Sequence, residues 1–474
     1  MILQTPAGIP LDIYYKTPPG INLEDQPLIE GEKLGLSPYT CGETFYYFGK
    51  HLALPGMALG IILLTLGFNE FDTILVGTIS NILFFIAAAF LLSVLREFIR
   101  GFKYKIKKGA LYLPGPYVFK RKAEDYAPRI NKIKSVKVKI GFVGDIMKMN
   151  KFGLKFHPDI KHFFKDVDLI VGNLEGIILD QNPPILKQAH SEIILSRLER
   201  LLSGDAKWLL CLSNNHSEDF SNVQFNECLH LIQNCSKFDV FGRKDMPCVI
   251  NVKKRIAISC STQWSNQKTW DYTSNYDDNH DFLQDNSFNI LYLHWGFENE
   301  KYVRTRYQKN TEALLTGESP DYKGFQRLYK NNLSLNTAQN WDFIFAHHPH
   351  VLQPIMKVQH KITINKRSIP YNKLTVFSAG NFTSGANVIR KKKHISGIIM
   401  KCEIGPLSGY PEKLAIGNME WRRTINHKKR IGKELLKLVC IDNEKYRTFN
   451  KPLFIYGGLF LIVYILSFLI NSYF

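Results

Sequence analysis

Six residues able to ligate a hard or borderline divalent cation recur through the middle of the chain: Asp145, Glu175, Asn215, His294, His348 and His350. They sit in Gly144-Asp145, Asn173-Leu174-Glu175, Asn214-Asn215-His216, His294-Trp295-Gly296 and His347-His348-Pro349-His350. Carboxylate, imidazole and amide oxygen are the donors such an ion takes from a protein. Any one of them alone has an ordinary reading. An Asp after Gly is a turn residue, a lone His is a hydrogen-bonded core or surface group, and Asn215 is an Asx-turn. The series gains meaning from its placement, because each member follows a short apolar run.

Those runs are the elements that must position the donors. Val136 to Val143, Val167 to Val171, Trp208 to Leu212, Phe288 to Leu293 and Trp341 to Phe345 read as strands ending at the polar residues. Helical spacing of apolar residues marks 191–202 and, more weakly, 223–232. The later runs 249–260, 355–364, 374–377 and 395–404 read as meander strands. Strands alternating with helices predict an α/β layered sandwich with a mixed sheet, whose ligands gather at the carboxyl ends of the strands.

Charge and hydropathy bracket this segment. Leu52 to Phe68, Thr73 to Leu95 and Leu453 to Ile470 contain no Asp, Glu, Lys, Arg or His, and each approaches the ~20 residues that cross a bilayer. Arg96 to Lys139 holds fourteen Lys/Arg against three acids and Arg422 to Lys451 holds ten against three, which together account for nearly all of the formal +19. The middle is close to neutral, and nucleic-acid binding has no footprint there. The pattern predicts an integral membrane protein with three spans, its basic flanks against lipid and its central domain cytoplasmic. Along the chain this gives an extended arm at 1–50, a two-span hairpin at 51–95, a basic connector at 96–135, a catalytic-size domain at 136–421, a basic juxtamembrane segment at 422–451 and a final span at 452–474. Eight cysteines without a CxxC pair read as free thiols.

Taken in order, Gly144-Asp145-Ile146-Met147, Asn173-Leu174-Glu175-Gly176, Asn214-Asn215-His216, His294-Trp295-Gly296-Phe297-Glu298, the run His347 to Pro354 and Gly380-Asn381-Phe382 resemble the CapA-type poly-γ-glutamate capsule biosynthesis proteins. These are relatives of the calcineurin-like metallophosphoesterases, and the resemblance covers about Val136 to Ile404. It implies a four-layer α/β/β/α metallophosphoesterase-like sandwich, here with added transmembrane helices. It also implies a metal site of Asp145, Glu175, Asn215, His294, His348 and His350 for Mn, Zn, Mg or Fe, and His216 as the catalytic histidine. Asp219, three residues on, would orient that imidazole. Met147 stands where the related enzymes carry a histidine ligand. The activity implied is a metal-dependent hydrolase or transferase acting on a capsule polymer, with membrane lipid, capsule-synthesis subunits and an anionic polymer as partners. The alternatives are an assembly component that binds polymer or subunits without turnover, and a lipid-active phosphoesterase.

Overall fold

The computed structural model describes residues 110–112 and 127–442, apart from 180–186, 252, 267–270, 275–282, 285–286, 299–302, 304, 318–339, 365–366 and 386–394. Within them, β2 (Val138–Ile146), β4 (Leu169–Leu174), β7 (Lys207–Cys211) and β8 (Phe238–Phe241) run parallel as neighbours. On the other side of β2 the sheet continues antiparallel through β16 (Ser396–Leu407), β17 (Tyr410–Ile431) and β18 (Glu434–Ile441), and β3 (Gly153–Phe156) then pairs parallel with β18. The short β15 (Asn381–Thr383) lies beside the end of β2 and sets Asn381 opposite Asp145. The basic run from Arg422 is therefore sheet as far as Ile441.

A second, seven-stranded sheet has β10 (Ile256–Thr262), β11 (Phe288–His294), β12 (Phe343–His347) and β14 (Arg367–Val376) parallel at its centre. Antiparallel edges are made by β9 (Cys248–Asn251) on one side and by β13 (Ile355–Ile364) with β1 (Ala110–Tyr112) on the other. In addition, β5 (Ile177–Ile178) and β6 (Ala189–His190) form a two-stranded ribbon.

The two large sheets share one apolar core. Ile140, Phe142, Val171 and Leu209 from the first meet Ile258, Ile290, Tyr292, Phe343 and Phe345 from the second. Phe142 stacks on Phe345 and meets Phe343 edge to face, each at 5.2 Å between ring centres. The Tyr292 hydroxyl donates to the Val143 carbonyl at 2.7 Å, one directed bond across an otherwise oily interface. Helices α1 (Pro158–Phe163), α2 (Ile193–Glu199) and α3 (Asn222–Gln233) cover the outer face of the first sheet, and α4 (Thr305–Thr316) packs on the second. Helix α3 starts at a capping box in which Ser221 and Gln224 satisfy each other's backbone N–H.

Two expectations are corrected here. Among the described residues the chain is mostly strand, with two mixed sheets and few, short helices, and not a four-layer α/β/β/α sandwich with added transmembrane helices. The physical reason lies in the second half of the chain. From Ile355 onward the period-2 runs return as hairpins, β13 with β14 and then β16 with β17 and β18, with no helix between them among the described residues. The integral membrane protein with three spans is corrected as well, because no helix among the described residues is long and apolar enough to cross a membrane. The three apolar stretches that carried that expectation, with the N-terminal arm and most of the basic connector, lie outside the described residues.

Candidate metal centre and its histidine dyad

The parallel strands of both sheets end at the same place, and each end delivers a different chemistry. The first sheet supplies oxygen donors: Asp145 at the end of β2, Glu175 just after β4 and Asn215 beyond β7. The second supplies nitrogen donors, with His294 ending β11 directly opposite His347 ending β12, and His348 and His350 following in the loop. All but Asn215 at 3% and His350 at 6% are essentially inaccessible to solvent. Position 144 is glycine because a Cβ there would sit 2.0 Å from the Gly380 carbonyl oxygen, where β15 closes against β2. His348 and His350 hold positive φ, 95° and 55°, in a region that costs a non-glycine residue ~1–3 kcal/mol. The Asp145 carboxylate helps to hold that turn, accepting from the His348 backbone N–H at 3.2 Å.

Side-chain amides fix the carboxylates. Asn173 Nδ2 donates to Asp145 Oδ1 at 2.9 Å and to Glu175 Oε2 at 2.6 Å, and is steadied in turn by Asn214. Asn214 also accepts from the backbone N–H groups of Gly176 and His216, which ties the second motif to the third. Opposite them, Asp145 pairs with His347 Nδ1 at 3.0 Å and His350 Nδ1 at 2.9 Å. His294 places Nδ1 2.9 Å from His347 Nδ1, and Nε2 2.9 Å from Asn215 Oδ1 and 3.9 Å from Glu175 Oε1.

The ligand atoms form three overlapping groups, each within 4.8 Å: Asp145 with His294 and His347, Glu175 with His294 and His348, and Glu298 with His348 and His350. These buried clusters can hold a metal ion. Glu175 Oε1, His347 Nε2 and His348 Nδ1 are buried without a hydrogen-bond partner, a costly arrangement that a cation at those atoms would relieve.

Electrostatics point the same way. Burial, and then the charge of Asp145, push the Glu175 carboxyl well above its ordinary range. Burial holds His294 and His348 well below the usual imidazole value, and His347 below it, with neighbouring imidazoles adding to the effect. Burial would also raise Asp145, but hydrogen bonds from His347 and His350 outweigh it and hold the carboxylate well below its usual range. His350 is the converse case: burial lowers it, and its bond to Asp145 with the charges of Asp145, Glu175 and Glu298 lifts it to about 10. The imidazoles of His294, His347 and His348, held low by burial beside two carboxylates that resist ionising together, form a donor set that suits a cation.

Beside this cluster, His216 Nδ1 lies 2.6 Å from Asp219 Oδ2, both side chains being less than a tenth exposed. The pair spans one 3-10 helical turn, Ser217–Asp219, directly after Asn215. The remaining ring atom, Nε2, is the one that can meet a substrate.

All eight residues singled out from the sequence are thus gathered at one end of the sheets, the six donors in contact with one another and the dyad adjoining them. Sequence reasoning missed His347 and Glu298 as candidate ligands. His347 was the first histidine of a run from which only the second and third were chosen, and strand register decides in its favour by setting it opposite His294. Also missed was the loop beyond β10, where Asn266 accepts from Asn215 Nδ2 at 3.3 Å and donates to Asp219 Oδ1 at 3.0 Å. Glu218 anchors the nearby backbone by accepting from the Tyr272 and Thr273 N–H groups, the Thr273 hydroxyl and the Ser265 hydroxyl. Isolated Asn and Glu residues carry no spacing signal that could have found them. Compared with known protein families and with curated proteins, the chain matches none.

Proposed function

We propose that the protein is a metal-dependent hydrolase acting on an anionic substrate. The observation that carries this reading is the abutment of three overlapping His/Asp/Glu ligand groups and a His–Asp dyad at the carboxyl ends of two parallel strand sets. Asp145, Glu175, His294, His347 and His348, with Glu298 and His350 at one side, would hold one or two divalent ions of the Mn, Zn, Mg or Fe type. A divalent ion bound there would supply water acidification and Lewis-acid withdrawal of charge from the reacting centre. His216 Nε2 delivers a proton to the leaving group, and Asp219 fixes the tautomer and stabilises the protonated ring. The buried amides Asn173 and Asn214 keep the carboxylates from turning away. The resemblance to CapA-type proteins directs the substrate search toward γ-glutamyl polymers, and the donor set directs it equally toward phosphoesters.

The test is metal analysis joined to hydrolysis. The purified protein should hold close to one or two equivalents of divalent metal, and should cleave bis-p-nitrophenyl phosphate or a γ-glutamyl anilide in a manner abolished by EDTA and restored by Mn²⁺ or Zn²⁺. Protein that neither retains nor responds to any divalent metal would end this reading.

A further inference from the structure

The Glu175 carboxylate depends on a backbone that has already left its strand. β4 stops at Leu174, and the next peptide, Glu175–Gly176, enters a turn in which Gly176 holds a φ of 89°. Glu175 N–H still donates to the Ile146 carbonyl at 3.2 Å, but the carbonyl of Glu175 is met by a side chain, with His190 Nε2 at 3.0 Å. A carbonyl oxygen only accepts, so Nε2 carries the proton in this contact. On the other side of the same peptide, Gly176 N–H donates to Asn214 Oδ1 at 3.0 Å. One peptide unit is thus held through both of its polar groups, by a side chain on β6 and by another beyond β7.

His190 is itself fixed. It is 4% exposed, sits opposite Ile178 in the β5–β6 ribbon, and its own carbonyl accepts from Leu179 N–H at 2.8 Å. The ribbon presses on the turn at a second point, since a Cβ on Gly176 would fall 2.0 Å from the Gln188 carbonyl oxygen. Neither contact touches the carboxylate. Asn173 holds Oε2 at 2.6 Å, while Oε1, buried without a hydrogen-bond partner, lies 3.9 Å from His294 Nε2. The direction of Oε1 is therefore set largely by the backbone behind it, and a buried carbonyl deprived of its donor would shift to find another.

We infer that His190 is a positioning residue of the metal centre, holding the Glu175–Gly176 peptide so that Glu175 Oε1 meets the ion taken with His294 and His348. The inference rests on the reading of the cluster as a metal centre and does not require turnover. Partners that orient a ligand from outside commonly govern metal affinity by ~10–100-fold. His190 does so from behind the backbone, touching neither the ion nor the reacting atoms.

The experiment uses the full-length chain after EDTA treatment, titrated calorimetrically with Mn²⁺ and, separately, with Zn²⁺. Glu175→Gln marks the part of the isotherm that depends on Glu175. His190→Phe, aromatic and without a donor, should weaken that same part ~10–100-fold. His190→Gln, whose side-chain amide can donate to the same carbonyl, should regain most of it. In the Glu175→Gln background His190→Phe should weaken binding little further, because two changes along one chain of contacts are not additive. Hydrolysis of bis-p-nitrophenyl phosphate by His190→Phe should fall at limiting metal and recover with excess metal. If His190→Phe does not fold, His190→Leu, smaller and equally without a donor, carries the comparison. Native-like affinity in a folded variant without the donor, an equal loss in His190→Gln, or a full further loss in the Glu175→Gln background overturns the inference. His190-dependent metal binding without hydrolysis of any substrate keeps the inference and removes the hydrolase reading. EDTA-sensitive hydrolysis with a metal affinity indifferent to His190 does the reverse, and native protein that binds no metal ends both.

Discussion

The two ends of β12 show opposite solutions to buried charge. At its start, Asp342 is 1% exposed and surrounded by cations of the chain itself, with Lys413 Nζ at 2.7 Å and Lys373 Nζ at 4.0 Å, and with the Tyr371 hydroxyl donating at 3.0 Å. At its finish, His347 meets Asp145 and His294, and the Asp145 and Glu175 carboxylates meet imidazoles, an amide and one backbone N–H. Three ligand atoms there, Glu175 Oε1, His347 Nε2 and His348 Nδ1, have no hydrogen-bond partner. One end meets its buried carboxylate with lysines of the chain itself and is architecture; the other leaves buried ligand atoms without a hydrogen bond and is where an ion from outside fits.

The largest break in this comparison is Asp145→Ala. It removes the carboxylate that His347 and His350 both contact, so the ligand groups should lose their metal and hydrolysis should fall below detection. Metal analysis by mass spectrometry reads the first effect and a chromogenic diester the second. His216→Ala should come next, retaining metal while losing ~10²–10⁴ in rate, the range of a general acid or base. Loss of metal in that variant would mean that His216 belongs to the cluster and not to a separate dyad.

At the architectural end, Asp342→Ala should leave metal content untouched and cost ~3–5 kcal/mol of stability. It removes the one buried carboxylate around which Lys413, Lys373 and the Tyr371 hydroxyl are arranged, leaving the Lys373 ammonium buried without a counter-charge as near. Denaturant unfolding reads this. A smaller effect belongs to Asn266→Ala, which uncouples Asn215 from the dyad and should lower kcat by roughly tenfold with native metal content, as expected of a residue that positions another.

The sequence was most legible where a strand ended in chemistry. Asp145, Glu175, His294 and the His347 to His350 run could be placed because β-branched runs stop at polar residues, and parallel strands deliver such residues to one edge. The layer count was not legible, because a period-2 run shows a strand without showing whether a helix or a hairpin returns the chain. Thus β16 was visible from its apolar run, while β18 and the second half of β17 were hidden under lysines and arginines that read as a basic juxtamembrane segment. Asp342, Lys373 and Lys413 were equally silent. Their pairing joins residues 31 to 71 apart in sequence through strand register and helix packing, which no local pattern encodes.

The smallest effect is the pH response of that silent network. Lys373 is wholly buried, its Nζ donating to the carbonyls of Leu315 and Trp341 at 2.7 and 2.8 Å and to the Asn340 side chain. Burial lowers its pKa from 10.5 to about 8, the charge of Asp342 opposing and that of Lys413 assisting. Between those values the unfolded chain holds the proton that the folded chain releases, so the unfolded state binds more protons and stability rises with pH. The contribution should grow by ~1 kcal/mol from pH 7 to pH 9, and Lys373→Met, which keeps the stem and removes the titrating group, should flatten that rise. Chemical denaturation at the two pH values measures it. An equal rise in both proteins would show that Lys373 keeps its proton throughout, held by its three oxygen partners, and that the start of β12 balances its charge more firmly than burial opposes it.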